Sequence, residues 1–397
     1  MGGQTISLDQ FVDPFEARVV WRDNPDGTVS AHFDLSGLPR LDPVLTGKPV
    51  ATIPDTVKRL CGICPVAHHL AGVAALEDML GHRTIPPTAQ AVRSLLAAGS
   101  QLEQLARHLL TVDRQLMADC RAIGKKAMAI AGCPGHFPAV AIPGGVTGTV
   151  DRTRACDLIP EVNQLIARLR DFPATTTQPA DGWREFTGGS VRLTDKQSNR
   201  RILGDVVEIT SPTGAVTRLT AHDFDRLVEE TVPGASAPRP VITLSGTSFH
   251  WRVGPVAQYP GQPTPWAAIG RALLGAADDI ATCLAADELV EGDRYCPPDS
   301  PRTTTGVGMV DGPRGLLVHT YRTGEPGQDT DGVLTGCRIL TPTAQNEPWL
   351  ADMLTRAVAA GGKQTDLEQG IRTADPCLPC TSAPPGAMGV HLDQQQH

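Results

Sequence analysis

Two cysteine pairs of equal spacing stand near opposite ends of the chain: Cys61 and Cys64 in "KRLCGICPVAHH", and Cys377 and Cys380 in "RTADPCLPCTSA". A CxxC pair by itself serves as a redox disulfide, as half of a structural zinc site, or as half of a thiolate site for a redox metal. Zinc ribbons and fingers staple short loops, whereas these pairs lie more than three hundred residues apart. Neither pair follows a predicted strand in a βαβ unit, which weighs against a thioredoxin-like centre. Four soft thiolates suit iron and nickel as well as zinc. The other six cysteines, at 120, 133, 156, 283, 296 and 337, are isolated and read as small apolar residues.

The chain has 397 residues, 41% of them hydrophobic and 20% charged, the balance of a soluble globular protein. A formal charge of −8 leaves no basic footprint for nucleic acid. No apolar run of about twenty residues occurs, and the N-terminus lacks a basic patch followed by an apolar core, so neither a membrane span nor a secretion signal is expected, while a partner that carries a signal could still take the chain across a membrane.

Alternation on both sides of Asp26–Gly27 predicts an N-terminal β-hairpin over 16–35. Apolar residues recurring at three and four predict helices over 66–80 and 88–119, the second crossing the whole domain. "GCPGHFPAVAIPGGVTG" is a loop by its Gly and Pro content, and a helix follows in "CDLIPEVNQLIARLRDF". β-branched runs between polar turns mark 174–248 as a β-rich insertion. Helix returns at "PWAAIGRALLGAADDIATCLAADELV", then a Gly-rich strand and turn segment, then a short helix before the last cysteines. The expected fold is α+β, mainly α: a single domain with N-terminal strands (1–57), a helical core (58–173 and 249–383) interrupted by the insertion, and a tail (384–397). With aromatics at only 4%, the Ala-rich helices predict a closely packed bundle holding a cofactor at its end.

"RLCGICPVAHH" resembles the RxCGxCxxxH motif of the nickel-iron hydrogenase large subunit, and "DPCLPC" resembles that family's C-terminal DPCxxC partner. The likeness extends to "FEARVVW", "PRLDPVLTGK", "FPAVAIPGGV", "WRVGPVAQ", "GVGMVDGPRGLLVH" and "TPTAQN", and is thinnest in the β-rich middle. It implies reversible heterolytic cleavage of H2 at nickel paired with an iron that carries cyanide and carbon monoxide, and "CGICPVAHHLA" resembles the cytoplasmic, bidirectional members. It implies Cys61 and Cys377 as terminal ligands of nickel and Cys64 and Cys380 as ligands bridging to iron, with the proton taken by Cys377. Glu16 falls where the family has its gate glutamate, whose pKa burial can raise. Arg314 matches the arginine over the metals, and Asp375 its carboxylate partner. Pro313 and Thr343 match positions that hydrogen-bond the cyanides, and His68 would orient a bridging cysteine. No further cysteine cluster is present for iron–sulfur centres, so the resemblance implies an iron–sulfur small subunit, maturation factors, and a diaphorase pair using NAD(P).

The chain departs from the family at Ala383, where a histidine or arginine is usual three positions after the last cysteine. That histidine binds a magnesium or iron and marks the site of proteolytic processing. Its replacement predicts that the tail from Pro384 to His397 stays attached, with His391 or His397 as substitute ligand. Asp42 replaces a glutamate that helps bind the same metal, and Asp311–Gly312 replaces Glu-Ala. The rival readings are a hydrogen-sensing subunit with the same metals, and a non-catalytic relative of complex-I or zinc-clipped type.

Overall fold

The computed structural model describes residues 16–36, 41–172, 179–230 and 239–395. His397 and the first residues of the expected insertion, 174–178, lie outside them. The hairpin forms as expected: β1 (Glu16–Asp23) pairs antiparallel with β2 (Val29–Phe33) across a turn in which Gly27 has φ +79°. Helix α1 (Asp42–Leu45) and α2 (Ile53–Leu60) carry the chain to Cys61. Cys64 is then the N-cap of α3 (Pro65–Leu80), with Pro65 at its first position, where a missing N–H costs nothing.

The expected helix over 88–119 divides in two. Helix α4 (Pro87–Leu105) tightens into a 3-10 turn at Ala106–Leu109, and α5 (Arg114–Ile130) starts anew where the Asp113 carboxylate accepts from Leu116 N at 2.8 Å. Asp113 is thus a helix cap that breaks the apolar periodicity. The two helices fold back on each other, and two glycines permit the close approach: a Cβ on Gly99 would lie 2.8 Å from the Gly124 carbonyl oxygen, and one on Gly124 2.6 Å from that of Gly99.

A small ribbon of β3 (Ala141–Ile142) and β4 (Gly145–Val146) sits in the Gly- and Pro-rich loop, followed by α6 (Arg152–Arg170). In the middle of the chain β5 (Gly189–Thr194), β6 (Val206–Thr210) and β7 (Val216–Thr220) form an antiparallel sheet, with α7 (Ala221–Leu227), a short helix not expected there. Next come β8 (Val228–Glu229), β9 (Val241–Leu244), β10 (Thr247–Phe249) and β11 (Trp251–Arg252), the last joined parallel to β5. Val191, Val207 and Trp251 share one apolar core with Met309 and Val318, so the sheet is packed into the body of the protein.

Helix α8 (Pro255–Gln258) leads into α9 (Pro265–Ala285). Helices α4, α5, α6 and α9 pack on one another around a core of Leu and Ala side chains. Strands β12 (Thr305–Gly312) and β13 (Gly315–Thr323) turn through Pro313–Arg314, with β14 (Leu334–Leu340) beyond and α3 lying on the sheet. The expected short helix is two, α10 (Pro342–Ala359) and α11 (Gln364–Ala374), the latter capped at its C-terminus by Asp375 in the left-handed region, φ 49°. The tail ends in β15 (Gly389–Gln394), parallel to β1.

Candidate metal centre

The two ends of the chain meet. The Cys61 and Cys64 sulfurs lie 3.2 Å apart, and Cys377 Sγ stands 3.8 Å from the first and 3.4 Å from the second. These three form the one cluster of potential metal ligands among the described residues. Two sulfurs bonded to one ion at about 2.3 Å in tetrahedral geometry lie about 3.8 Å apart, so the spacing fits three thiolates on a common soft metal. Cys380 is not part of the trio: it is buried in the neighbouring apolar cluster with Ala17, Leu378, Ala383 and Met388. The 3-10 turn Pro379–Ser382 sets its direction, a local choice that the CxxC spacing does not contain.

The trio shares its protons unequally. Cys61 is held well below the ordinary thiol range because Cys377 and Cys64 both direct their thiols at it. Cys377 is pushed up to about 12, first by that bond to Cys61, with burial adding to it. Cys64 rises too, through its neighbours and its burial. One thiolate flanked by two thiols is the arrangement such crowding favours without a metal, since like charges this close in a dry site repel.

Backbone geometry fixes Cys377. Asp375 ends α11, and the Cys377 N–H donates to Thr343 Oγ1 at 2.8 Å. Thr343 therefore touches the site through the backbone of a ligand and keeps its own O–H free to donate. From the opposite side Pro313 is buried in the β12–β13 turn and Arg314 projects from it, only 4% exposed. Its Nη1 donates to Gln104 Oε1 at 3.0 Å and its Nε lies 3.7 Å from Asp375 Oδ2, while Nε and Nη2 make no hydrogen bond. Burial opposes the guanidinium charge, but Cys377, Asp375 and the other sulfurs outweigh it and keep it protonated.

Asp375 has two further partners that sequence reasoning missed. Arg107 forms an ion pair with it, and His108 Nε2 lies 3.5 Å from Oδ2. Gln104, Arg107 and His108 fall at three- and four-residue spacing where α4 ends, so one helical face supplies all three. That face borders a cleft of about 800 Å³, also lined by Ile63, Trp266, Arg314 and Asp375, reaching to the tail at Thr381–Gly386.

His68 is buried, with its pKa lowered to about 4 by loss of solvent, against the opposing pull of Cys377. Glu16 does not have the buried setting expected of it: at the edge of β1 its side chain is 51% exposed and 3.3 Å from His391 Nε2. Asp42 accepts from Cys337 N at 2.8 Å and belongs to no three-ligand cluster among the described residues.

A family model described as nickel-dependent hydrogenase matches residues 40–113. One component of the F420-non-reducing hydrogenase vhu of Methanococcus voltae is 25% identical over 90% of this chain and 94% of that protein. The beta component of the NAD-reducing hydrogenase HoxS of Cupriavidus necator is 25% identical over 93% and 92%. Among solved structures, an NAD+-reducing [NiFe]-hydrogenase in the H2-reduced state superposes with a TM-score of 0.76 at 24% identity, covering 91% of this chain and 95% of that one. The Ni-Fe-Se hydrogenase from D. vulgaris Hildenborough gives a TM-score of 0.63 at 15% identity, over 91% and 95%. Residues 40–113 thus match the nickel-dependent hydrogenase family, and most of the chain is similar to components of named hydrogenases. No helix among the described residues is long and apolar enough to cross a membrane.

Proposed function

We propose that this chain is the H2-cleaving subunit of a heteromeric hydrogenase, holding a nickel–iron pair on Cys61, Cys64, Cys377 and Cys380. The observation that carries it is the convergence of three sulfurs from both ends of the chain beside the buried Arg314. Cys380 would complete the set by rotation of its 3-10 turn. When bound, a nickel–iron centre with cyanide and carbon monoxide ligands supplies the redox chemistry and the polarisation of H2.

The chain's own residues do the rest. Cys377, whose surroundings favour the protonated thiol, holds the proton released in cleavage at its Sγ. Arg314 presents two unpaired donors beside the sulfurs, and Asp375 with Gln104 fixes its height. Pro313 shapes the turn, and Thr343 sets the backbone of Cys377. Glu16, in a strand whose Ala17 shares an apolar cluster with Cys380, passes the proton towards solvent. Electrons leave to an iron–sulfur small subunit, as the chain carries no second cysteine cluster among the described residues; the NAD-reducing relative supports a diaphorase pair beyond it.

Infrared spectra of the complex from its native host test the reading. Two cyanide bands and one carbonyl band, with nickel and iron in equal amount, are expected. Zinc alone and no such bands would overturn it.

A further inference from the structure

One helical turn beyond Cys64 begins a polar chain that the proposed reaction does not use. His68 Nδ1 is 3.0 Å from His319 Nε2, and His319 Nδ1 is 2.7 Å from the Tyr321 hydroxyl. His319 and Tyr321 are fully buried and His68 is 5% exposed. The four-residue step from His68 to Gly72 on α3 and the two-residue step from His319 to Tyr321 on β13 put all four residues at one helix–strand interface.

The direction of these bonds follows from what surrounds the phenol. A Cβ on Gly72 would stand 2.9 Å from Tyr321 Oη, so the hydroxyl is pressed against α3. His319 Nδ1 is its one hydrogen-bond partner among the described residues. If His319 donated to the phenol, the phenolic hydrogen would be buried without an acceptor; if the phenol donates, only lone pairs stay unfilled, the lesser cost. Tyr321 therefore donates to His319 Nδ1. His319 must then carry its hydrogen on Nε2, and it donates this to His68 Nδ1. His68 is left with its own hydrogen on Nε2, across the ring from His319. Both rings are buried and bond only each other and a phenol, with no carboxylate to hold a charge, so both are neutral and the tautomers are fixed.

We propose that Tyr321, through His319, is a positioning residue that locks His68, whose backbone N–H donates to the Cys64 carbonyl at 3.3 Å, in the Nε2–H tautomer. Its relevance to hydrogen chemistry rests on the reading above; the tautomer itself does not. A neutral ring one helical turn from a metal ligand adds no titratable charge there, and it cannot change tautomer unless the phenol bond breaks.

Nitrogen-15 spectra of the full chain labelled at histidine, with His68→Gln and His319→Gln assigning the signals, read both tautomers at neutral pH. The expected result is protonated Nε2 and unprotonated Nδ1 on both rings. Tyr321→Phe keeps the ring and removes the hydroxyl, and is expected to abolish the single tautomer of His319 and then of His68. Gly72→Ala keeps the hydroxyl and displaces it, with the same outcome. Protonated Nδ1 on His68 in the wild type would overturn the proposal, as would a His68 tautomer unmoved by both variants. In the assembled complex, Tyr321→Phe is expected to shift the cyanide and carbonyl bands. Bands present but unshifted refute the link to the site, whereas bands absent from the wild type refute the hydrogenase reading and leave the tautomer result standing.

Discussion

Replacing Asp375 with Asn removes a charge and little else. Asparagine tolerates the left-handed backbone at this position as aspartate does, so α11 ends as before. The carboxylate lies 3.7 Å from Arg314 Nε, and both side chains are mostly buried, 13% and 4% exposed. Two unit charges at that distance attract by about 4–5 kcal/mol at an effective dielectric of ~20. Arg107 and His108 share the carboxylate. About half of the attraction, ~2 kcal/mol, is therefore assigned to holding Arg314. If Arg314 acts on cleavage, losing that hold slows it roughly 30-fold, at about 1.36 kcal/mol per tenfold. The assay is D2/H+ exchange by the assembled complex, with nickel and iron measured on the same sample. A change under about threefold with full metal content would refute this account of Asp375. Loss of metal would refute it differently, by showing that the residue acts through the Cys377 loop.

Glu16→Gln is expected to lower the same exchange by about 10²-fold or more, as for loss of a positioned proton carrier; full exchange would remove Glu16 from the route. Asp311 is fully buried, and burial raises its pKa to about 6 despite bonds from Gln258 and Leu193 N. Its folded value lies above the unfolded ~3.9, so it contributes stability that is present below about pH 4 and lost as pH rises through about 6, on the order of 3 kcal/mol in full. The melting temperature of wild type relative to Asp311→Asn should therefore rise from pH 7 to pH 5, and a flat difference would contradict the shift. Gly99→Ala forces α4 from α5 and is expected to cost about 1–3 kcal/mol, read by thermal melting against the surface change Gly148→Ala measured in parallel. Intact mass of the mature chain should include the tail to His397, because β15 pairs with β1 and Arg372 Nη2 donates to the Ala383 carbonyl at 2.7 Å; a chain ending near Ala383 would overturn this.

The separate fates of the candidate residues show how far local pattern reaches. The hairpin, α3, α6 and α9 follow from alternation or helical periodicity, which each segment carries within itself. The turn that presents Arg314 and the cap that places Cys377 lie beside their motifs, so those assignments needed only neighbours in sequence. The break of the long helix at Asp113 was open to reading too, as a capping residue within an apolar repeat.

By itself the sequence determined most of the element types, the family likeness and the two cysteine pairs. Tertiary structure alone decided that three sulfurs meet while Cys380 turns aside, that Arg107 and His108 share Asp375, and that Glu16 stays half exposed. It also brought His68 to His319 and Tyr321, from opposite ends of the chain. The physical reason is range: periodicity and capping act within a few residues, whereas the meeting of side chains distant in sequence depends on how helices and sheets pack. In this protein small residues allow such close packing: a Cβ on Gly72 would stand 2.9 Å from Tyr321 Oη.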